Sequence, residues 1–302
     1  MQTFFFANYR LLVDDDICRS NYMEYLTNFN KVMPATHTFS IHWGNSDLLF
    51  QKYENITKYP IVCTTEQFYI HDTKDSWSFV SRLDENFMTC NGQYVLTCAR
   101  DYSEMTLYIS REPYYCDLLQ RWLNPCIPMS TAIRVACEAG MVMRDGMSPH
   151  AALIEKDGYG VVFLGPSGMG KSTQAKLWVE HQDADFIIGD RPGLRCVDGT
   201  WYGFGMPWDG KEGIKQQKQV PIRALISLEQ ATENSIRRLT KQEAMIVLLN
   251  QVMMPMWDDV AMEKLPSLMG QLATEIPFYH LKNLPNKEAT ELTRETINYS
   301  DY

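Results

Sequence analysis

The segment YGVVFLGPSGMGKST, residues 159–173, constrains this chain more than any other. It contains GxxxxGKS in full, from Gly165 through Gly170, Lys171 and Ser172, with a further glycine at Gly168. An apolar, strand-like run precedes it and QAKLWVEH, patterned as a helix, follows. Glycines at this spacing let successive backbone N–H groups turn inward around phosphate oxygens. The helix that follows aims its positive end at the same anion. Lys171 can reach the β- and γ-phosphates, and the Ser172 hydroxyl can join a Mg²⁺ shell. The expected cradle is therefore Gly165, Pro166, Ser167, Gly168, Met169, Gly170, Lys171, Ser172 and Thr173, binding the phosphates of a nucleotide. A chance match in a surface loop would lack both flanks.

The next strand, expected at Phe186–Ile188, runs into Asp190, which closes DFIIGD nineteen positions after Lys171. One helix and a turn fill that gap. An aspartate at the C-terminal end of that strand faces the phosphates, where it can hold Mg²⁺ or take a hydroxyl proton. Its blander role is to cap the turn with Arg191-Pro192-Gly193, and the two roles are compatible.

Around this centre the chain divides near residue 146. Residues 1–146 are expected to form a mixed β domain ending in helices, with strands at Phe4–Val13, Thr38–Trp43, Ile61–His71, Ser76–Arg82, Tyr94–Arg100 and Met105–Ser110. Helices are expected at Tyr114–Leu123 and Thr131–Arg144, the second capped by Ser130. Residues 147–302 are expected to form an α/β domain. Strands His150–Glu155 and Tyr159–Leu164 join across Lys156-Asp157-Gly158. A helix runs from Gly170 to Glu180, and Leu194–Cys196 pairs with Thr200–Phe204 across Asp198-Gly199. Ile222–Leu228 is a further strand. Thr240 opens a capped helix reaching Val252, and helices over Asp258–Thr274 and Lys287–Asn298 flank a strand at Phe278–Leu281. Pro266 starts or kinks the first of these two helices.

Composition narrows the partners. The net charge is −9. Up to residue 146 there are 12 basic and 17 acidic residues, and after it 16 and 20, so each part is acidic. That is no footprint for a nucleic-acid binder. Eight cysteines carry no CxxC pair and give neither a zinc site nor a disulfide framework. With no signal-like N-terminus and no apolar run of spanning length, the expected setting is the cytoplasm, away from membranes. Lys171, Arg191, Arg195, Lys211, Lys215 and Lys218 nonetheless fall within 48 residues beside the glycine segment. Arg191, Arg195 and Lys211 are candidate phosphate or substrate contacts, and Arg223 extends the positive character. The loop Gly203–Gly213, GFGMPWDGKEG, could close over a transferred phosphate, or be a solvated hairpin. Trp208 could stack on a ring or pack in the core. Trp257-Asp258-Asp259 is read as helix N-terminal acids. His37, His42, His71, His181 and His280 show no metal spacing.

HAALIEKDGYGVVFLGPSGMGKST followed by FIIGDRPGLR resembles the kinase core of HPr kinase/phosphorylase and phosphoenolpyruvate carboxykinase. The likeness is good over residues 150–195 and looser through GFGMPWDGKEG to Glu243, where it is closer to small HPr-kinase-like proteins. It implies an ATP- and Mg²⁺-dependent phosphotransferase acting on a hydroxyl, with a serine of a peptide or protein as the favoured acceptor. It places His150 with Asp190 and Lys171 in the catalytic set, and Ser172 with Asp190 at the metal. Oligomers are common among such proteins. This sequence departs from the pattern at Gly189-Asp190-Arg191, where the family usually has adjacent aspartates, and it lacks an EIRGLG-like second signature. A small-molecule kinase and a nucleotide-binding regulator without transferase activity therefore stay open.

Overall fold

In a computed structural model, which describes residues 1–15, 25–82, 93–109, 114–116, 121–123, 129–208, 210 and 212–299, Ala7 and Asn8 both take left-handed φ values, 47° and 62°. Two such residues in a row turn the chain back with the twist of a hairpin. The expected strand Phe4–Val13 is therefore two strands, β1 (Gln2–Phe6) and β2 (Tyr9–Val13), paired antiparallel. The expected strand Ile61–His71 splits in the same way into β4 (Ile61–Thr64) and β5 (Phe68–Asp72). There the Thr65 hydroxyl donates to the Phe68 carbonyl and accepts from the Gln67 and Phe68 amides, which closes the turn.

With β3 (His37–Trp43), β6 (Ser76–Ser81), β7 (Tyr94–Ala99) and β8 (Glu104–Ile109), these strands make an eight-stranded sheet in the order β1-β2-β3-β8-β7-β6-β5-β4. It is mixed: β3 runs parallel to both neighbours, and the other pairs are antiparallel. Alternating residues such as Leu11, Val13, Phe39, Ile41, Phe79, Leu96 and Leu107 are fully buried. Helix α1 (Leu49–Ile56), which no sequence signal had marked, packs Leu49 and Ile56 on Val80 and Val95. Within Tyr114–Leu123, expected as a helix, the described residues instead form two short antiparallel strands, β9 (Tyr114–Cys116) and β10 (Arg121–Leu123), and 117–120 lie outside the described residues. Helix α2 spans Met129–Val142.

This first unit comprises Met1–Met143 and also takes in Pro255–Asp259. The visiting segment buries Trp257 and Asp258. The Tyr102 hydroxyl donates to Asp258 Oδ2 at 2.9 Å and accepts from Trp257 Nε1 at 2.8 Å.

The second unit, Arg144–Met254 with Val260–Tyr302, is built on a nine-stranded mixed sheet. Its main path runs β11 (Gly146–Met147), β15 (Gly193–Val197), β16 (Thr200–Phe204), β17 (Gln219–Gln230), β13 (Tyr159–Leu164), β12 (Ala151–Lys156) and β14 (Asp185–Ile188). Strand β19 (Phe278–Asn283) joins on β17, and β18 (Ser235–Arg238) pairs with β19. Helices α3 (Lys171–Gln182), α4 (Lys241–Gln251), α5 (Asp259–Glu275) and α6 (Lys287–Tyr299) complete it. Pro266 lies inside α5, so it does not start that helix. The core gathers Ile154, Phe163, Trp178, Ile226 and Leu281. No described helix is long and apolar enough to cross a membrane, which leaves a strand-built crossing untouched.

Candidate functional site

The register of three strands brings the chemistry to one end of the second sheet. Strand β12 runs antiparallel to β13, with Ala151 opposite Leu164, so the N-terminal end of β12 lies beside the C-terminal end of β13. Strand β14 is antiparallel to β12 on its other side, with Ile188 opposite Leu153. His150 just before β12, the glycine loop just after β13 and Asp190 just after β14 therefore share a single edge. The His150 amide donates to the Gln251 carbonyl at 2.7 Å, which fixes where the imidazole begins.

Between Leu164 and α3 the chain turns through Gly168 and Gly170, at φ 84° and 97°, conformations that L side chains resist. Gly170 is the N-cap of α3, and no side chain caps the helix. The first-turn N–H groups, which have no partner within the helix, thus face the loop. Gln230, at the far end of the long strand β17, donates from Nε2 to the Gly168 carbonyl at 3.0 Å and braces the loop. Helix α3 buries Lys171, Gln174, Ala175, Trp178 and Gln182, so its inward face carries polar groups at its first turn as well as apolar ones.

The result is a cleft of ≈ 420 Å³ lined by His150, Ser167, Gly168, Gly170, Lys171, Ser172, Thr173, Gly189, Asp190, Gly210 and Glu212. The Lys171 ammonium donates to the carbonyls of Gly165 (2.7 Å) and Pro166 (3.1 Å) and meets His150 Nε2 at 3.2 Å. With a charged lysine, Nε2 must be the acceptor, which fits a neutral ring. Burial pushes the lysine below its ordinary range; Asp190 opposes that shift and Arg191 adds to it. Asp190 Oδ1 lies 3.6 Å from His150 Nε2 and is buried without a hydrogen-bond partner, as is Arg191 Nη1.

Of the expected cradle, Ser167, Gly168, Gly170, Lys171, Ser172 and Thr173 line the cleft. Gly165 and Pro166 serve it through the carbonyls that hold Lys171, while Met169 packs against the core. Arg191 acts on Lys171 through its charge. Arg195 is buried on β15, away from the cleft lining. Lys211 lies outside the described residues. Lys218 is engaged elsewhere, donating to Asp185 at 2.7 Å and to Glu155, and Arg223 sits over the Tyr159 ring. Trp208 is buried. Asp258 and Asp259 stand at the start of α5, Asp258 directly before the helix and Asp259 in its first turn, and Asp258 is also the buried acceptor of Tyr102.

Sequence reasoning missed Glu212 and Gly210. Glycine 210 approaches so closely that an added Cβ would lie 2.8 Å from Asp190 Cβ. Glu212 packs its Cβ and Cγ 3.4 and 3.5 Å from where a Cβ on Gly189 would stand, and its carboxylate pairs with Lys176. The one available signal was the glycine-rich composition of that loop.

A protein-family model described as "SynChlorMet cassette protein ScmC" matches residues 121–283, more than half of the chain. The chain belongs to the ScmC family. No curated protein matches it. Among solved structures, the HPr(Ser) kinase/phosphatase from Coxiella burnetii is similar over 51% of this chain and 99% of that one, at 13% identity and a TM-score of 0.32. So loose a superposition transfers no residue roles to this chain.

Proposed function

We propose that this ScmC-family chain is a P-loop, ATP-dependent phosphotransferase that moves the γ-phosphoryl group of Mg-ATP to a hydroxyl. The observation that carries the reading is the convergence of His150, Lys171 and Asp190 on the mouth of an uncapped, glycine-lined helix N-terminus. Backbone donors there, with Lys171, suit an anion, and the orphaned Asp190 Oδ1 suits a cation or a proton. Among the described residues no group of three His, Cys, Asp or Glu could hold a metal by itself. Ser172 and Asp190 would instead hold Mg²⁺ together with phosphate oxygens, the arrangement this ion favours. When bound, the ion spreads the charge of the phosphates.

The remaining work falls to side chains. Lys171 neutralises the phosphate charge and Asp190 orients the acceptor. As the acceptor oxygen bonds to phosphorus and the bond to ADP breaks, the hydroxyl proton passes to the Asp190 carboxylate. His150, within reach of both, holds the pair in register. A serine in a peptide or protein is the favoured acceptor, on the sequence resemblance. A second reading, a nucleotide-binding regulator that transfers little or nothing, is favoured by Gly189, which stands beside Asp190 where the sequence resemblance leads one to expect a second aspartate.

Incubation with γ-labelled ATP, with serine peptides or water as acceptor, tests both. Transfer is expected, abolished by Asp190→Ala and Lys171→Ala, with nucleotide affinity falling about 10- to 100-fold in Lys171→Ala, the worth of a charged hydrogen bond. Binding without any transfer or hydrolysis selects the regulator. Unchanged binding in Lys171→Ala overturns both readings.

A further inference from the structure

We propose that Lys176 and Glu212 form a clasp that holds the chain at 212–216 against the end of β14 and so positions Asp190, an inference that rests on the nucleotide reading of the cleft. Two glycines and two acids interlock here. An added Cβ on Gly210 would lie 2.8 Å from Asp190 Cβ, and Glu212 packs its Cβ and Cγ 3.4 and 3.5 Å from the Cβ position of Gly189. A side chain at Gly210 would displace Asp190, whereas a Cβ at Gly189 would meet Glu212 in ordinary van der Waals contact.

Backbone contacts continue the seam. The Gly189 amide donates to the Ile214 carbonyl at 3.3 Å and the Gln216 amide to the Ile187 carbonyl at 2.9 Å, and Ile188 bridges Lys215. The only tie from this segment to α3 among the described ion pairs is Lys176 Nζ to Glu212 Oε2. Lys176 stands on the outer side of α3, on the helix whose N-terminus forms the cleft. The pairing also answers an electrostatic difficulty. A lone carboxylate at the rim of an anion site repels the ligand by about 1 kcal/mol at 4 Å even in water, and Lys176 cancels that charge.

Glu212 is thus a positioning residue that acts through Asp190. The test uses the full chain with Lys176→Glu, Glu212→Lys and the double exchange. Amide hydrogen exchange over 212–216 should rise about two- to fivefold in each single variant, the range of an exposed ion pair, and return to the wild-type rate in the double exchange. Affinity for MgATP should fall by a similar factor in the single variants and recover in the double, whereas metal-free ATP should change less, because Asp190 is the cation-side group.

Unchanged exchange in both single variants overturns the clasp. So does a double exchange that stays as impaired as Glu212→Lys, since Glu212 would then act through its own carboxylate. An equal loss for MgATP and metal-free ATP overturns the role through Asp190. Lys171→Ala separates the two levels: it should lose MgATP while leaving exchange over 212–216 unaltered. Should the wild-type chain bind no MgATP, the nucleotide reading falls and the exchange rates still decide the clasp.

Discussion

Lys171 has three N–H donors and three acceptors, the carbonyls of Gly165 and Pro166 and the His150 ring. Holding an ammonium ion in a buried place costs solvation, and so its proton is held less tightly than on an ordinary lysine. An arriving phosphate favours the charged form and raises that affinity for the proton. The sign of the pH effect follows. Nucleotide affinity is full below the depressed value of the free protein and is lost as pH rises through it. Titration calorimetry of MgATP at increasing pH should therefore show affinity declining before the ordinary lysine range is reached. In Lys171→Arg, whose guanidinium does not titrate in this range, that decline should vanish.

Individual elements repeat the same interplay between local chemistry and surroundings. Helix α4 was legible from Thr240 and Glu243 alone. Thr240 Oγ1 accepts from the Glu243 amide at 3.3 Å, and Glu243 Oε2 accepts from the Thr240 amide at 2.8 Å. Arg237, together with the cap, holds the Glu243 carboxyl down to about 2. The stabilisation it lends is present above the unfolded carboxyl value and lost as pH falls toward 2. Thr240→Ala should cost about 1 kcal/mol in urea denaturation at neutral pH.

Legibility ended where tertiary partners decide. Tyr114–Leu123 has helical spacing yet pairs as β9 and β10, and α1 emerges from a polar stretch because Leu49 and Ile56 find Val80 and Val95. At the cleft, the glycine spacing and Asp190 stood out because their pattern is local. Glu212 did not, because its neighbour Gly189 lies 23 positions away and meets it only through the sheet.

For the whole molecule, the acidic balance of −9 says little about the ligand, since the cations gathered near the cleft are mostly committed: Lys218 to Glu155 and Asp185, Lys176 to Glu212. The chain order matters more. Pro255–Asp259 follows α4 in the chain, belongs to the first unit with Pro255, Trp257 and Asp258 buried, and leads into α5. Tyr102 anchors it with one hydroxyl that serves both Asp258 and Trp257. Burial, together with the negative charge of Asp258, pushes that phenol well above its usual range. A raised folded value means that the stabilisation is whole below the unfolded value of 10.0 and is lost as pH climbs past it, because only the unfolded chain then ionises there. Tyr102→Phe leaves Asp258 and the Trp257 indole without that partner and should cost about 1–3 kcal/mol at pH 7. Above pH 10 the difference between variant and wild type should shrink, since phenylalanine has nothing to ionise. Urea midpoints at the two pH values, with hydrogen exchange across 255–262, measure both effects. A gap that stays constant across that range would show that the hydroxyl is not what ties the crossing down.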